Sequence, residues 1–543
     1  MMLDSEPEKR TKSQSKGHVM TNVLRHGTWW NLKQDVPAAT LMEGRFTKLF
    51  ADAPPAAYAD DSLQALATAM TSPAESSPTP ETETDPEENP GIPAAYTYLG
   101  QFIDHDLTFD PTSQLRQPHH HLSTAQIHAL ADFRTPRFDL DNVYGRGPAD
   151  QPYLYGANGL DLALGAPLSG NPHDPHAVDV PRAPDGRALI GDPRNDENRI
   201  VAQLQSVMLR FHNRVVAEHA SATFDEIRDQ VRWHYQWVVV NDFLPTIINE
   251  TTIQSIFPHL ADGTSIAASP PQLTIDSIRD GVALMPIEFS VAAYRFGHSM
   301  IRPNYRINET ISRRPIFSSS TDVAANLGGF RPIPSDWALD WQFFVDLEPG
   351  HPAPPPRHDP NDPIVRKPQN SYKIDTSLVN PLAHLPASVA VDPSSLGLRN
   401  LERGRAFGLP TGQDVAELLG IDPLADDAIR IGKATAAADD PKTPIHEIAG
   451  EFAGRAPLWT YVLAEAWSTS WAAAAPGANH DEIPIRLGPV GGRLVGEVFA
   501  AMLLGDPSSY LNENPTFAPL PAFTAAGRFG LAELINAALH HHA

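Results

Sequence analysis

Three ionisable residues stand side by side in the apolar stretch 102–107: Asp104, His105 and Asp106. On a helix, neighbouring side chains differ by about 100° in direction, so the three must face three different surroundings. Gln101 precedes His105 by one turn and shares its face. Burying three such groups is costly unless each has a partner. The pattern fits either a reactive site or a charged surface helix, and the other segments favour the site.

A second group of polar residues opens a predicted helix. Asp192 is a good N-cap, and Pro193 suits the first helical position. Arg194, Glu197 and Asn198 then fall on one face of the first turns. The spacing of three and four residues predicts a buried stripe made of Ile200, Leu204, Val207, Phe211 and Val215. Arg194 and Glu197 could alternatively form a surface ion pair, which would contribute little to stability.

A third segment, 287–301, is predicted to be a helix that ends before Pro303. Arg295 and His298 lie one turn apart in it. Gly297, next to the histidine, would let a flat group approach the backbone closely. A histidine on an apolar helix is either a hydrogen-bonded core residue or a ligand, and the spacing alone leaves both readings open.

The loop 135–145 carries alternating oxygen-bearing side chains, among them Asp139 and Asp141. Hard cations such as calcium take carboxylate, hydroxyl and carbonyl oxygens, although the spacing here is not that of an EF-hand. Asp106 could supply another carboxylate to the same ion.

Composition excludes several classes of protein. The net charge of −24 over 543 residues argues against nucleic acid or an anionic membrane as the main partner. The chain has no cysteine, which rules out disulfides, zinc thiolates and iron–sulfur clusters. We expect no membrane span, because no apolar run reaches roughly 18 residues. We expect no signal peptide either, so the protein would be cytoplasmic or exported by a leaderless route.

The chain divides by composition into an arm and a body. Residues 1–90 form a predicted N-terminal arm, within which the Pro-, Glu-, Ser- and Thr-rich segment 71–90 is predicted to be disordered. The body covers 91–543. It has neither a series of strands nor a strand–helix–strand rhythm, and it lacks nucleotide-binding glycine loops. We therefore predict a mainly α fold.

Taken together, six segments in this order resemble the animal-type haem peroxidases of the peroxidase–cyclooxygenase superfamily, over roughly residues 90–430. They are Gly100-Gln101-x-x-Asp104-His105-Asp106, the loop Thr135 to Gly145, Arg194-x-x-Glu197, Leu209-Arg210-x-His212-Asn213-Arg214, Tyr294-Arg295-x-Gly297-His298 and Asn400-x-x-Arg403. The resemblance implies a single large helical domain, 91–543, with haem buried at its centre. Together with the leaderless start, it favours a bacterial member that acts as a monomer.

The resemblance implies a role for each polar group around the haem. His298 would be the proximal iron ligand, with Asn400 holding its other ring nitrogen and Arg295 near the haem propionates. His105 would take a proton from hydrogen peroxide and return it to the departing oxygen. Arg194 would stabilise the negative charge that develops as the O–O bond breaks.

On the same resemblance, Gln101 would hold water or a halide in the pocket. The oxidised iron-oxo haem, a Compound I type intermediate, would then oxidise a halide, a pseudohalide or a small phenolic donor. Asp104 and Glu197 match the carboxylates that many members join to haem b through esters. Asn198 stands where the chloride-oxidising mammalian member has a methionine bonded to haem. We therefore expect at most two covalent links, and bromide, iodide, thiocyanate or phenols as donors in preference to chloride.

The resemblance also places a calcium ion beside His105. Its ligands would be Asp106, Thr135, Arg137 through its carbonyl oxygen, Asp139 and Asp141.

Rival functions stay open at this point. One is a fatty-acid dioxygenase of the same superfamily, which would carry a radical-forming tyrosine three residues before the proximal histidine. Here that position is Arg295, and Tyr294 is one residue out of step. Another is a haem-binding sensor or electron carrier, which would not need an arginine and a histidine on the open side of the iron. A haem-free structural protein is the simplest alternative.

Overall fold

The computed structural model describes residues 44–540 except 75–84, 110–120, 220, 280, 312, 319, 321, 323, 349–367, 388, 391, 439 and 441. Of the predicted arm, residues 1–43 lie outside the described part, as do 75–84 of the segment predicted to be disordered. Residues 44–74 pack on the same core as the body, beginning with Phe46. The domain boundary at residue 91 stays a prediction.

The fold is mainly α, as predicted. The α-helices are Asp60–Ala69, Ala94–Leu107, Thr124–Ala129, Asp141–Tyr144, Arg199–Glu218, Phe224–Val238, Leu244–Ile247, Glu250–Ile256, His259–Asp262, Asn380–Ala383, Leu396–Ala406, Gly412–Leu418, Ile445–Ile448, Leu458–Ala473, Pro489–Leu504, Tyr510–Glu513 and Leu531–Leu539. Short 3₁₀ turns and two π turns, Val239–Phe243 and Glu288–Ala292, lie between them. Within the described ranges, no helix has both the length and the hydropathy needed to cross a membrane.

The strands are short and pair two by two in the part of the chain that the structure describes. Phe46–Thr47 pairs in parallel with Met285–Pro286. The antiparallel pairs are Glu88–Pro93 with Asn370–Tyr372, Ile278–Arg279 with Val282–Ala283, Asn304–Tyr305 with Arg314–Pro315, and Arg430–Gly432 with Lys442–Pro444. They join loops to the helical body and form no extended sheet.

Helix Arg199–Glu218 lies at the centre of the fold. Asn198 caps it by accepting hydrogen bonds from the backbone N–H groups of Ile200 and Val201. Helix Ala94–Leu107 packs against it from one side and helix Leu531–Leu539 from another. All five side chains of the predicted stripe are buried, as are most of their neighbours on the other faces. A helix buried all round requires its polar side chains to find partners.

The predicted helix start at Asp192 is wrong in detail. Asp192 caps only a 3₁₀ turn, Pro193–Asp196, and the α-helix begins at Arg199. The carbonyl oxygens of Asp196 and Glu197 accept hydrogen bonds from the backbone N–H groups of Phe330 and Gly329, at 2.6 and 3.0 Å. These tertiary bonds replace the helical ones and turn the backbone at Glu197.

The segment predicted as a helix over 287–301 is helical but not α. A π turn, Glu288–Ala292, is followed by a 3₁₀ turn, Ala293–His298, with a break at Ala292 (φ −128°, ψ −73°). The carbonyl of Ser290 accepts a hydrogen bond from Nε of Arg295 at 2.9 Å. Irregular helical turns of this kind are frequent at functional sites.

Two buried histidines hold the central helices to their surroundings. Nε2 of His212 donates to the carbonyl of Leu160 (2.8 Å), and Nδ1 accepts from the hydroxyl of Tyr144 (3.0 Å). Nδ1 of His234 donates to a backbone carbonyl one turn earlier, and Nε2 accepts the N–H of Leu520 at 3.0 Å. Both rings are therefore neutral, and burial lowers the pKa of each to about 4.

These two histidines predict a loss of stability in acid. The unfolded chain binds their protons below about pH 6.5 and the folded chain only near pH 4, so the free energy of unfolding falls as the pH drops through that window. We expect each histidine to lower the free energy of unfolding by about 3 kcal/mol between pH 7.5 and 4. Denaturant titrations measure the free energy of unfolding of the wild type and of His212→Asn. The difference between the two proteins should decrease by this amount when the pH is lowered from 7.5 to 4. The control is His384→Asn, since His384 is exposed. If the difference in unfolding free energy between the wild type and His212→Asn did not depend on pH, the assignment of a neutral His212 ring would be wrong.

Candidate active site

One cavity joins the polar residues singled out in the sequence. It encloses about 1440 Å³ free of atoms, its open mouth included. Its lining includes seven of the predicted site residues: Gln101, Asp104, His105, Arg194, Glu197, Arg295 and His298. Aliphatic and aromatic side chains such as Met300, Ile316, Phe317 and Leu385 line the remainder. An apolar cavity with a few convergent polar groups is typical of a cofactor or substrate site.

Helix Ala94–Leu107 supplies three of these seven predicted residues: Gln101, Asp104 and His105. Pro93 at its N-cap has no capping side chain, and the N–H groups of Ala94 and Ala95 instead donate to backbone carbonyls of other segments. The helix ends at Leu107. Asp104 lies in the last turn, where Oδ1 accepts from the hydroxyl of Thr108 at 3.0 Å.

His105 is almost fully buried at the edge of this cavity. Its Nδ1 lies 2.7 Å from Oδ1 of Asn195, and its Nε2 lies 3.7 Å from Oε1 of Glu197. Burial, followed by the positive charge of Arg194, lowers the pKa of His105 to about 4. The neutral ring can therefore accept a proton at neutral pH.

Arg194 is held in place by Asp192. Its Nη2 lies 2.8 Å from Oδ2 of Asp192 and also donates to the carbonyl of His105 at 3.1 Å. The guanidinium lies over the ring of Phe109, 4.5 Å from its centroid. Burial alone would raise the pKa of Asp192, but Arg194 and then Arg134 hold it well below its usual value. Asp192 therefore stays ionised and fixes the arginine.

Glu197 takes part in an amide network at the cavity wall. Nε2 of Gln101 donates to Oε1 of Glu197 in a short hydrogen bond. Nδ2 of Asn198 donates to Oε1 of Gln101 at 3.0 Å. Burial raises the pKa of Glu197 to about 7.

His298 lies on the segment 287–301, where it is the last residue of the 3₁₀ turn Ala293–His298. Its Nδ1 lies 2.8 Å from the side-chain amide of Asn400 on helix Leu396–Ala406. Burial, followed by the charge of Arg295, lowers the pKa of His298 to about 3, so its ring is neutral. A Cβ added at Gly297 would meet no atom within 4 Å, which leaves open space beside the histidine. A neutral imidazole with one nitrogen held by an amide can bind a metal through the other nitrogen.

The predicted acidic cluster is present. Asp106, Asp139 and Asp141 each offer one carboxylate oxygen within 4.8 Å of the others. Both oxygens of Asp106 lack a hydrogen-bond partner within the described residues. Burial, then the charge of Asp139, raises the pKa of Asp106 well above its ordinary value. Asp106 and Asp141 are buried and Asp139 is half-buried, and three carboxylates this close repel one another unless a cation lies between them.

Thr135 and Arg137 lie in the loop that carries this cluster. The hydroxyl of Thr135 donates to Oδ2 of Asp139 at 2.6 Å. The guanidinium of Arg137 is 3.5 Å from the carboxylate of Asp506, so its side chain is directed toward Asp506. The predicted contribution of Arg137 through its carbonyl oxygen is compatible with that arrangement.

Two site residues were not predicted from the sequence. The first is Arg134, which is fully buried. Its Nε donates to Oδ2 of Asp192 at 2.8 Å and to the carbonyl of His105 at 3.1 Å. Its Nη1 lies 3.4 Å from Oδ2 of Asp141. It therefore connects the acidic cluster with the segment that bears Arg194. The other is Asn195, the partner of the His105 ring. No local spacing indicates these contacts, because the partners lie about 29 and 90 positions apart.

Comparison with known proteins shows a similarity over the part of the chain that carries the site. Residues 125–327 match the model of the animal haem peroxidase family. The matched stretch includes Arg194, Glu197, Arg295 and His298. This part of the chain is therefore similar to animal haem peroxidases, in agreement with the resemblance stated from the sequence.

Among curated relatives, thyroid peroxidase of Sus scrofa is 26% identical over 325 residues, which cover 55% of this chain and 31% of the relative. Peroxidasin of Drosophila melanogaster is 26% identical over 232 residues, covering 41% of this chain and 13% of that protein. The chain thus spans about a third or less of the length of these relatives.

Among solved structures, peroxidase A of Dictyostelium discoideum superposes with a TM-score of 0.55 at 15% identity, and the match covers 92% of this chain and 94% of that one. At this identity the similarity shows a shared fold.

Proposed function

We propose that this chain is a haem peroxidase, which reduces hydrogen peroxide and oxidises a small donor molecule. The observation that carries the proposal is the joint lining of one cavity by two neutral histidines with different partners. His298 is held by an amide, as metal-binding histidines often are, and His105 has an arginine beside it. The match of residues 125–327 to the animal haem peroxidase family supports the same conclusion.

The residues around the cavity fit a haem. The apolar walls suit a macrocycle, and the open space beside Gly297 lets it approach the backbone. His298 would bind the iron through Nε2, with the amide of Asn400 turned so that its oxygen accepts the proton on Nδ1. Arg295 would bind a propionate. A bound haem would supply the iron at which peroxide is split and the oxidising equivalents passed to the donor.

The remaining residues would handle the proton and the charge. His105 would accept a proton from hydrogen peroxide at Nε2 and deliver it to the departing oxygen. Arg194, fixed by Asp192, would stabilise the negative charge on that oxygen. Gln101, whose amide is held by Glu197 and Asn198, would orient a water or a halide.

The donor is proposed to be bromide, iodide, thiocyanate or a small phenol. Asn198 supports this, because an amide cannot form the sulfonium bond that a methionine makes in the chloride-oxidising relative. Its amide also donates to Gln101 at 3.0 Å. The position of Tyr294 argues against a fatty-acid dioxygenase, since the residue three positions before His298 is Arg295 and Tyr294 is one residue out of step.

The experiment uses the haem-loaded full chain. A peroxidase would change its absorption spectrum on mixing with hydrogen peroxide and return to the resting spectrum as it oxidises bromide or a phenol. Oxygen uptake with a fatty acid, without peroxide, would indicate a dioxygenase. A haem spectrum that peroxide does not alter would indicate a sensor or electron carrier, and a preparation that takes up no haem would end the proposal.

We also propose ester bonds from Asp104 and Glu197 to the haem. Both carboxyl groups line the cavity. Each ester would form between a carboxyl oxygen and a haem methyl carbon, with loss of one O–H and one C–H hydrogen. Hydrogen peroxide would be the oxidant for this two-electron step and would be reduced to water. Acid extraction should leave haem on the wild-type protein, and mass spectrometry should show one fewer link in Asp104→Ala and one fewer in Glu197→Ala. The double variant should release all its haem, whereas release of free haem from the wild type would contradict the proposal.

The cluster of Asp106, Asp139 and Asp141 is proposed to bind calcium, with the hydroxyl of Thr135 and the carbonyl of Arg137. Removing calcium with a chelator should lower the melting temperature, because three carboxylates would then repel one another. At 100 times the dissociation constant, calcium should contribute about 2.7 kcal/mol to stability. Asp106→Asn should weaken this response, whereas the same change at the exposed Asp427 should not. A melting temperature that does not respond to calcium would contradict the site.

A further inference from the structure

A buried asparagine holds the ring of His105. Asn195 is fully buried, and its Oδ1 lies 2.7 Å from Nδ1 of the imidazole. Its Nδ2 lies 2.8 Å from Oε1 of Gln205, which is also fully buried. The amide is therefore bound at both ends, and neither end faces solvent.

The direction of these hydrogen bonds follows from their donors and acceptors. Nδ2 of Asn195 can only donate, and Oε1 of Gln205 can only accept. That bond directs Oδ1 toward His105, where it can only accept. The proton of the neutral ring must then lie on Nδ1, and Nε2 carries the lone pair.

We infer that Asn195 is a positioning residue that keeps His105 in the tautomer with a free Nε2. The inference rests on the proposed function, in which Nε2 accepts the proton of peroxide. Asn195 does not touch the reacting atoms. It acts through the ring, and Gln205 acts through Asn195.

The surrounding backbone makes this contact rigid. Asn195 lies in the 3₁₀ turn Pro193–Asp196, whose cap is Asp192. Its neighbour Arg194 binds the carbonyl of His105 at 3.1 Å. Two consecutive residues therefore hold one histidine, the first at its backbone and the second at its ring.

The substitution that removes the acceptor is Asn195→Leu. Without Oδ1 nothing favours the proton on Nδ1, so most of the rings should carry it on Nε2 and be unable to act as a base. We expect the rate constant for reaction with hydrogen peroxide to fall about 10–100-fold, because only about 1–10% of the rings would keep a free Nε2, and this loss lies within the usual contribution of a general base. The KM for the donor should not change. Asn195→Asp keeps an acceptor at the same place and should restore the rate to within a few-fold.

The tautomer itself is read by NMR on the full-length protein labelled with ¹⁵N-histidine, in the diamagnetic ferrous carbon monoxide complex. The signals of His105 are assigned by their loss in His105→Gln. The wild type and Asn195→Asp should show the proton on Nδ1, and Asn195→Leu should show it mostly on Nε2. If Asn195→Leu does not fold, Gln205→Leu takes its place, since it frees Asn195 to rotate. Gln203→Leu, on the same helix but bound to Trp337 and Leu339, is the matched control.

The outcomes separate the inference from the proposed function. The ring spectrum requires no turnover, so it can be read even if the chain does not react with peroxide. A proton that stays on Nδ1 in both Asn195→Leu and Gln205→Leu would overturn the inference, whatever the activity. An Asn195→Asp variant as slow as Asn195→Leu, with its ring still protonated on Nδ1, would also overturn it.

Discussion

Replacing His298 by alanine is expected to remove haem ligation and, with it, the reaction with peroxide. The ring is buried beside open space, and no other described histidine except His105 lines this cavity. The loss should exceed the roughly 10–100-fold that removal of a supporting partner costs, which is the effect we expect for Asn400→Leu. The measurements are the absorption spectrum of the ferric protein and the rate of its reaction with hydrogen peroxide.

Two comparisons make the result specific to ligation. Added imidazole should enter the space left in His298→Ala and restore part of the ferric spectrum, because a free ring can replace the missing one. His384→Ala, which removes an exposed histidine that does not itself line the cavity, should leave the spectrum as it is. If His298→Ala kept the wild-type spectrum, His298 would not be the iron ligand.

The second large effect is expected for His105→Leu. The variant should bind haem normally but react with hydrogen peroxide about 10²–10⁴-fold more slowly, the usual contribution of a general base. The change also leaves Oδ1 of Asn195 without its partner, which costs about 1–3 kcal/mol of stability. The melting temperature must therefore be measured first. The rate of spectral change at several peroxide concentrations then gives the second-order rate constant.

His128→Leu provides the matched control for this experiment. His128 lies on helix Thr124–Ala129 and contacts Thr47 at 3.4 Å, away from the cavity lining. Its replacement should leave the reaction with peroxide unchanged. A His105→Leu protein that reacts within tenfold of the wild-type rate would show that another group takes the proton.

Several local features could be predicted from the sequence because they depend on near neighbours. The capping role of Asp192, the buried stripe of the central helix and the shared face of Gln101 and His105 are set by spacings of a few residues. The acidic cluster was also predicted in composition, since Asp139 and Asp141 are two positions apart.

The backbone geometry at the site depends on contacts between distant segments, which the spacing of residues within one segment does not predict. The helix predicted from Asp192 is interrupted because Gly329 and Phe330 donate to the carbonyls of Asp196 and Glu197. A Cβ at Gly329 would lie 1.7 Å from the carbonyl oxygen of Asp196, so this approach requires a glycine. The sequence shows the glycine but not the segment it meets.

By itself, the sequence determined the mainly α fold, the resemblance to animal haem peroxidases and the types of the reactive groups, because these follow from periodicity and from motifs of a few residues. Only the tertiary structure decided how those groups are held. Asn195 contacts the ring of His105, which lies 90 positions away in the sequence. Arg134 contacts both Asp192, 58 positions away, and Asp141, 7 positions away. Hydrogen bonds between residues this far apart in the sequence form only when whole segments pack together. Their contribution depends on the tertiary structure, and no local sequence pattern indicates them.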